Sequence, residues 1–133
     1  MHKHVIPLYI MVVLIFISCS QTTEPKTEPE KWETVKIPTD SIIVGEKTDT
    51  TIAFTARSWG MNGCYVYSHN EIDRVGRNIN ITIYGKYPTS AYCTMALISI
   101  YSQIQIHVPK ADTYYFHFWN YEVSSYDTTI ITP

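Results

Sequence analysis

The feature that most constrains the fold is a strict alternation of side-chain types in short runs. In residues 78–84, isoleucines stand at every second position: Ile79, Ile81 and Ile83. In residues 113–120, one set of ring-bearing side chains alternates with another: Tyr114, Phe116 and Phe118 with Tyr115, His117 and Trp119. A period of two places alternate side chains on opposite faces of a β-strand, whereas a helix has a period near 3.6. These runs therefore predict strands that are buried on one face.

The same pattern, interrupted by turn residues, recurs along the chain and predicts seven to eight strands. Nine segments are candidates for these seven to eight strands: residues 34–37, 41–44, 50–57, 64–68, 78–84, the two parts of 93–108 divided at Tyr101 and Ser102, 113–120 and 127–132. Gly and Pro predict a loop at 58–63 and a turn at 85–90. No helical crossover pattern occurs, although a short helical turn at 94–97 stays open. We therefore expect an all-β antiparallel sandwich and no parallel sheet.

The end of the chain carries a family resemblance. Residues 109–119 read Pro-Lys-Ala-Asp-Thr-Tyr-Tyr-Phe-His-Phe-Trp, and residues 127–131 read Asp-Thr-Thr-Ile-Ile. This pattern resembles the last two strands of immunoglobulin-like and fibronectin-like bacterial modules, which often have Gly where this chain has Asp112. The resemblance covers residues 32–133 and implies an immunoglobulin-like antiparallel β-sandwich of seven to eight strands.

The first residues predict an export signal. After a short polar opening, residues 5–17 contain no charged side chain. A run of 13 residues suits the helical core of a signal peptide and falls short of the roughly 20 that a membrane-spanning helix needs. A buried helix of the domain core is the alternative interpretation.

The apolar run ends in Phe16-Ile17-Ser18-Cys19, which resembles the lipobox of bacterial lipoprotein precursors. The resemblance implies that Cys19 receives a diacylglyceryl thioether and becomes the mature N-terminus, anchored to a membrane by acyl chains. Ser20 resembles the residue of outer-membrane-directed lipoproteins, and leaves open whether the periplasmic or the surface face is used. An ordinary secretory signal, cleaved nearby, is the alternative.

These observations divide the chain into three parts. Residues 1–18 are predicted to be a lipoprotein signal peptide. Residues 19–33 are predicted to be the lipidated cysteine and a flexible, disordered tether, because residues 20–31 contain no apolar side chain except two prolines. Residues 34–133 are predicted to form one immunoglobulin-like β-sandwich domain, since about 100 residues suffice for one domain and not for two.

Two further cysteines, Cys64 and Cys93, are expected to form a disulfide in the oxidising cell envelope that the signal implies. The bridge would close a loop of about thirty residues. Two free buried thiols or a metal site are the alternatives. Neither a CxxC nor an HxxxH pattern accompanies the cysteines, which argues against a metal.

Composition and motifs argue against several functional classes. The formal net charge is −2 and no basic patch occurs, so we expect no nucleic-acid partner. No Gly-x-Ser-x-Gly elbow, P-loop or dinucleotide-binding glycine pattern is present, and we predict no enzyme, no cofactor and no metal. Residues 69–73, His-Asn-Glu-Ile-Asp, match no standard metal-ligand spacing and are expected to be a solvated polar loop.

Two groups of side chains are candidates for recognition. If one aromatic set of residues 113–120 faces the core, the other forms a row on the opposite face, here called the aromatic row: Tyr115, His117 and Trp119. Exposed rings stack on sugars or anchor protein interfaces; the alternative is that a loop or the other sheet covers them. The predicted loop 58–63 offers Trp59 and Met61 as a candidate recognition loop.

An anchor, a spacer and a small disulfide-linked domain without a catalytic motif lead to one functional hypothesis. We expect a non-catalytic lipoprotein of the bacterial cell envelope, held by its N-terminal lipid, that binds a protein or assembly partner. A carbohydrate-binding module using the aromatic row is one alternative. An inhibitor of an envelope protease acting through the predicted loop 58–63 is another.

Overall fold

The structure is a computed structural model, and it describes residues 28–121 and 126–131. The predicted signal peptide, Cys19 and most of the predicted tether lie outside the described residues. The described part contains eight strands: β1 (Trp32–Ile37), β2 (Thr39–Lys47), β3 (Thr51–Gly60), β4 (Val66–Val75), β5 (Asn78–Pro88), β6 (Ile98–His107), β7 (Thr113–Phe118) and β8 (Tyr126–Ile131). Those residues contain no helix, and so none that could span a membrane. The predicted all-β class is confirmed.

The strands form two sheets that pack as a sandwich. The large sheet has five strands. Within it, β4 pairs along one edge of β5, β1 and β7 share the other edge, and β8 pairs with β7. The small sheet has three strands in the order β2-β3-β6.

One strand pair departs from the prediction. β5 and β7 are parallel, from Asn78 beside Tyr115 to Ile81 beside Phe118, so the expectation that no parallel sheet forms is confirmed for each sheet as a whole but does not extend to this pair. That expectation assumed that parallel neighbours need a helical crossover. Here the connection between β5 and β7 contains β6, which belongs to the small sheet. A strand of the opposite sheet therefore provides the crossover that a helix provides in a βαβ unit.

The chain changes sheets at Pro38, between β1 and β2. Pro38 has no N–H to donate and therefore interrupts the ladder. Its carbonyl accepts a hydrogen bond from the Trp59 N–H at 3.2 Å, and the Thr39 N–H donates to the Trp119 carbonyl at 3.0 Å. The crossing is thus held both to β3 and to the segment that follows β7.

The core lies between the two sheets and is apolar on both sides. The alternating residues predicted to face inward are buried, which confirms the prediction for Ile79, Ile81, Ile83, Tyr114, Phe116 and Phe118. Five further apolar residues are buried with them: Ile52, Phe54, Ile104, Ile106 and Val108. The ring of Phe54 connects the layers, with its centroid 4.9 Å from that of Phe116 and 5.4 Å from that of Phe118. Burial of these large side chains is a principal favourable term in the stability of the sandwich.

The predicted loop at residues 58–63 is strand in its first half. β3 continues to Gly60 because residues 58–60 pair with the start of β6. Gly60 allows this continuation, since a Cβ at its position would lie 2.5 Å from the Cβ of Tyr65. The loop prediction is therefore wrong for Trp59, which lies on a strand, and only Met61 lies in a connection.

Three other local features also differ from the prediction. β5 runs to Pro88 instead of turning at residues 85–90, because β1 pairs with it up to that residue. β6 is one continuous strand, so the division at Tyr101 and Ser102 is wrong; ten successive pairs with β3 hold it. Residues 94–97 form no helical turn.

β4 begins at Val66, so Cys64 lies in the preceding connection and not in a strand. Residues 69–73, predicted to be a loop, belong to β4, because this strand pairs with β5 from Val66 to Val75. The polar character of these residues reflects an exposed edge strand, where charged side chains discourage pairing with another chain.

The predicted disulfide is confirmed. Cys64 and Cys93 are bonded, with their Cα atoms 5.5 Å apart, and they join the β3–β4 connection to the β5–β6 connection. Next to the bridge, the Gly63 N–H donates to the Thr94 carbonyl at 2.9 Å. The two connections therefore form one unit at that end of the sandwich.

A tyrosine at the start of β7 holds the preceding turn. The Tyr114 hydroxyl donates to the Lys110 carbonyl at 2.8 Å. This hydrogen bond is similar to the tyrosine corner of immunoglobulin-like sandwiches, in which a Tyr near the start of a strand bonds the backbone a few residues upstream.

Candidate partner-binding site

An apolar cavity of about 260 Å³ opens near the point where the chain changes sheets. We call it the apolar site. It is lined by Pro38, Asp40, Trp59, Met61, Leu97, Asn120 and Tyr121. Both residues of the candidate recognition loop thus line the same cavity.

The cavity results from a difference in strand length. β2 pairs with β3 only up to the pair Thr39–Ser58, beyond which the chain turns into the large sheet at Pro38. β3 extends past this point, and Trp59 and Met61 form one wall. Tyr121, in a left-handed backbone conformation with φ of 53°, supplies a further part of the lining.

Three exposed apolar side chains surround the opening. Met61 is 56% exposed, Leu97 is 60% exposed and Tyr121 is 57% exposed. They come from three different connections, which the strands bring to one place. Met61 and Leu97 precede and follow the two disulfide-linked cysteines along the chain, so the covalent bridge restricts their relative movement.

An ion pair lies at the polar side of the apolar site. The Arg57 Nε donates to the Asp40 carboxylate at 2.8 Å, and the guanidinium carbon lies 5.5 Å from the Trp59 ring centroid. The hydrogen bond from Arg57 lowers the pKa of Asp40, and the same bond raises the pKa of Arg57. Both groups are therefore charged at neutral pH and neutralise each other beside the Trp59 ring.

With this geometry established, the comparisons with known proteins place the chain in a family. The sequence model of the ORF11 beta-sandwich domain matches residues 54–128, more than half of the chain. The chain belongs to the ORF11 beta-sandwich domain family. No curated protein and no solved structure matches it. The matched segment of this ORF11 domain begins within β3 and includes Trp59, Met61, Leu97 and Tyr121, but not Pro38 or Asp40.

The aromatic row lies on the outer face of the large sheet of this ORF11 domain. Tyr115 is 43% exposed, while His117 and Trp119 are half-buried. The His117 Nε2 lies 3.2 Å from the Asn78 Oδ1, and the Lys36 ammonium lies 5.9 Å from the Trp119 ring centroid. The row is thus partly open and partly packed against its neighbours, and its role as a ligand face stays a prediction.

The row and the apolar site are neighbours. The ring centroid of Trp119 lies 5.6 Å from that of Tyr121, which lines the apolar site. The two groups that the sequence singled out therefore meet at Tyr121. The sequence did not identify Asp40, Leu97 and Tyr121, because they line one cavity with Trp59 only through the way in which four chain segments meet. The closeness of Arg57 to Trp59 could have been predicted, since the two residues are two positions apart on one strand.

The residues considered as a metal site form a different arrangement. The His69 ring stacks on Tyr84, with centroids 4.6 Å apart, and the Tyr84 hydroxyl donates to Glu71 at 2.9 Å. This hydrogen bond raises the pKa of Tyr84. Within residues 28–121 and 126–131, no three His, Cys, Asp or Glu side chains are grouped so that they could hold a metal ion.

Proposed function

We propose that this ORF11 beta-sandwich domain is a non-catalytic lipoprotein of the bacterial cell envelope, which binds a protein partner at the apolar site. The main observation in favour of a protein partner is that one cavity is lined by four large side chains: Trp59, Met61, Leu97 and Tyr121. Aromatic residues, Met and Arg are enriched in the centres of protein interfaces. Here two aromatic rings, a Met and a paired Arg stand together at the surface.

The size of the cavity favours an anchoring side chain over a free small molecule. Its volume of about 260 Å³ lies below the roughly 300–1,000 Å³ of most small-molecule sites. One apolar side chain of a partner would fill it, with the exposed rim of Met61, Leu97 and Tyr121 excluding water around that side chain.

The position of the first described residues supports a partner that acts close to the membrane. The Lys31 carbonyl accepts hydrogen bonds from the Thr89 N–H at 2.8 Å and from the Thr89 hydroxyl at 3.0 Å. The chain that leads from Cys19 thus enters the domain beside the β5–β6 connection, which carries Leu97. A lipid on Cys19 would therefore keep the domain within the length of residues 19–30 of the membrane surface.

The anchor is tested by fatty-acid labelling and fractionation in a two-membrane bacterium. We expect the native chain to incorporate labelled palmitate and to fractionate with the outer membrane, as the Ser20 resemblance implies. Cys19→Ala should abolish both the label and the membrane association. A label that persists in Cys19→Ala would contradict the lipoprotein proposal, and an inner-membrane location would contradict the sorting proposal.

The partner is tested by site-specific crosslinking in cells. A photoreactive amino acid at position 61 should give a discrete crosslinked protein, whereas the same group at Ile43, which is exposed on β2, should not. Leu97→Asp should reduce the crosslink strongly, since loss of an interface anchor costs about 2 kcal/mol, or roughly 30-fold in affinity. Equal crosslinking from both positions, or a crosslink that Leu97→Asp does not change, would contradict the proposal.

A carbohydrate-binding function through the aromatic row is the second candidate, favoured by the 43% exposure of Tyr115. Trp119→Ala should then remove glycan binding; binding that survives this change would eliminate the candidate. The protease-inhibitor hypothesis depended on a loop at residues 58–63. Because β3 extends to Gly60 and β4 begins at Val66, the connection left for such a role is residues 61–65, which does not include Trp59.

A further inference from the structure

The outer face of the small sheet contains a second concavity, which the proposed function does not use. A cavity of about 460 Å³ lies over Ala53 and is bordered by Gly45, Thr55, Gln103 and Gln105. A neighbouring cavity of about 270 Å³ shares Ala53 and Gln105 with it and extends to His107. We call the two together the amide groove.

The groove results from a line of small residues between longer ones. Ala53 pairs with Gln105 and Thr55 pairs with Gln103 across β3 and β6, so these four side chains share the outer face. On the other side, Gly45 lies against Ala53, since a Cβ at position 45 would be 3.5 Å from the Ala53 Cβ. Small side chains on β2 and β3 therefore form the floor, and the glutamines of β6 form a wall.

The lining combines polar and apolar surface and carries few charged side chains. Hydroxyl groups come from Thr48, Thr51 and Thr55, and among the described lining residues only Glu46 and His107 have an acidic or basic side chain. Neither cavity is lined by a described Lys or Arg, so the groove offers no cation to an anionic ligand. It is also unsuited to a purely apolar ligand, whose burial would remove water from these amides and hydroxyls without replacing their hydrogen bonds.

The two amide groups are free to bind. In the part of the chain that the structure describes, the side chains of Gln103 and Gln105 make no hydrogen bond, and both are exposed. Each amide presents two N–H donors and one carbonyl acceptor. Because they stand two residues apart on one strand, their Cα atoms are separated by about 7 Å along the groove.

An exposed ring continues the same row. Tyr101 lies two residues before Gln103 on β6, is 62% exposed and pairs with Arg57 of β3. The row Tyr101, Gln103, Gln105 thus combines one aromatic face with two amides along about 14 Å. Sugar rings present hydroxyl groups at their edges and C–H groups on their faces, so they suit amides for hydrogen bonding and an aromatic ring for stacking.

We propose that the amide groove binds a neutral oligosaccharide, with Gln103 and Gln105 donating and accepting hydrogen bonds and Tyr101 stacking on a ring. This site is distinct from the apolar site and from the aromatic row. It extends the proposed function, because it gives an envelope protein a glycan contact on a surface that its protein partner does not need.

The test uses the purified full chain in detergent and a panel of soluble sugars. The probes are cellohexaose, maltohexaose and chitohexaose, with an acidic hexasaccharide of galacturonate as the charged comparison, and binding is measured by calorimetry. We expect at least one neutral probe to bind and the acidic probe to bind more weakly. If none of the neutral probes binds, or if the acidic probe binds best, the proposal is overturned.

Variants then locate the site. The double change Gln103→Ala and Gln105→Ala should weaken binding by about tenfold or more, because two side chains that each contribute hydrogen bonds to the affinity are lost. Ala53→Leu should abolish binding by filling the floor. Asn80→Ala is the matched control, since it removes an exposed amide from the outer face of the large sheet and should leave the affinity unchanged.

Two outcomes separate this proposal from the others. Binding that is lost in Trp119→Ala but retained in the double glutamine variant would overturn the amide groove and favour the aromatic row. Leu97→Asp, which tests the apolar site, should leave sugar affinity unchanged, so failure of the protein-partner proposal and failure of this one are distinguishable. Thermal melting of every variant establishes that a loss of binding does not reflect unfolding.

Discussion

On the outer face of the large sheet, bulky side chains contact one another; on the outer face of the small sheet, small side chains leave room between longer ones. The large sheet stacks His69 on Tyr84 and places Lys36 over Trp119. The small sheet has Ala53 and Gly45 side by side, and a cavity opens over them. The face that is richer in aromatic residues is thus the more completely filled one.

This difference teaches that residue type alone does not indicate a binding surface. Aromatic and charged side chains on adjacent strands satisfy each other by stacking and hydrogen bonding, which reduces what they offer to a ligand. Small residues contribute nothing to recognition by themselves, yet they create the depth that lets their longer neighbours surround a ligand. The amide groove and the apolar site both adjoin β3, the groove on its outer face and the apolar site at its end.

The largest expected effect comes from the disulfide, which links two connections that each run between the small sheet and the large sheet. Replacing Cys64 and Cys93 by Ala should destabilise the domain by about 3–4 kcal/mol, because the bridge closes a 29-residue separation. Denaturant unfolding measures the loss, with Cys19→Ala as the control. Hydrogen exchange should increase at residues 61–65 and 89–97 more than at 78–84; equal increases everywhere would show that the bridge does not act locally.

Two glycines of the small sheet should respond differently to the same added methyl group. Gly60→Ala should destabilise the domain by about 1–3 kcal/mol through overpacking, since its Cβ would lie 2.5 Å from that of Tyr65. Gly45→Ala should change the stability little, because its Cβ would meet Ala53 at ordinary contact distances, and should make the amide groove shallower. Melting temperatures compare the two, and similar losses would contradict this packing.

A smaller, stabilising effect is expected where the chain passes between the sheets. The Thr39 hydroxyl is buried and has no hydrogen-bond partner among the described residues. Thr39→Val keeps the shape and removes the cost of burying that group, so it should stabilise the domain by about 1 kcal/mol. Thr34→Val, at an exposed position of β1, is the control, and a destabilised Thr39→Val would show that the hydroxyl is bonded in solution.

The smallest expected effects are changes in the free energy of unfolding with pH. One arises on the outer face of the small sheet and the other on the outer face of the large sheet. Arg57 lowers the pKa of Asp40, so this pair stabilises the domain above the ordinary Asp pKa of about 3.9, and its contribution is lost as the pH falls through the lowered value. The hydrogen bond to Glu71 raises the pKa of Tyr84, so that contribution is present below about pH 10 and is lost as the pH rises through the raised value.

Denaturant unfolding across the pH range checks both signs. Asp40→Asn should flatten the acid limb of the stability curve and leave the alkaline limb unchanged, while Tyr84→Phe should flatten the alkaline limb only. If either variant changed the opposite limb, the assignment of the two titrations to the two faces would be wrong.

Much of the framework was predictable from the sequence. Alternation in residues 78–84 and 113–120 identified two central strands and their buried faces, because a strand's period of two is a local property of the backbone. The pairing of Cys64 with Cys93 followed from the number of cysteines and the expected compartment. The strand boundaries were less predictable, since Gly60 and Pro88 look like turn residues until a neighbouring strand pairs with them.

What the sequence determined by itself was the β class, the inward-facing residues and the covalent bridge, because local periodicity and thiol chemistry settle these. Only the tertiary structure decided the parallel pairing of β5 with β7, the cavity around Trp59 and the groove over Ala53. Each of these depends on where segments far apart in the chain come to lie. Tyr121 lines one cavity with Trp59, and Gln105 pairs with Ala53, because of strand stacking and register, which no local pattern encodes.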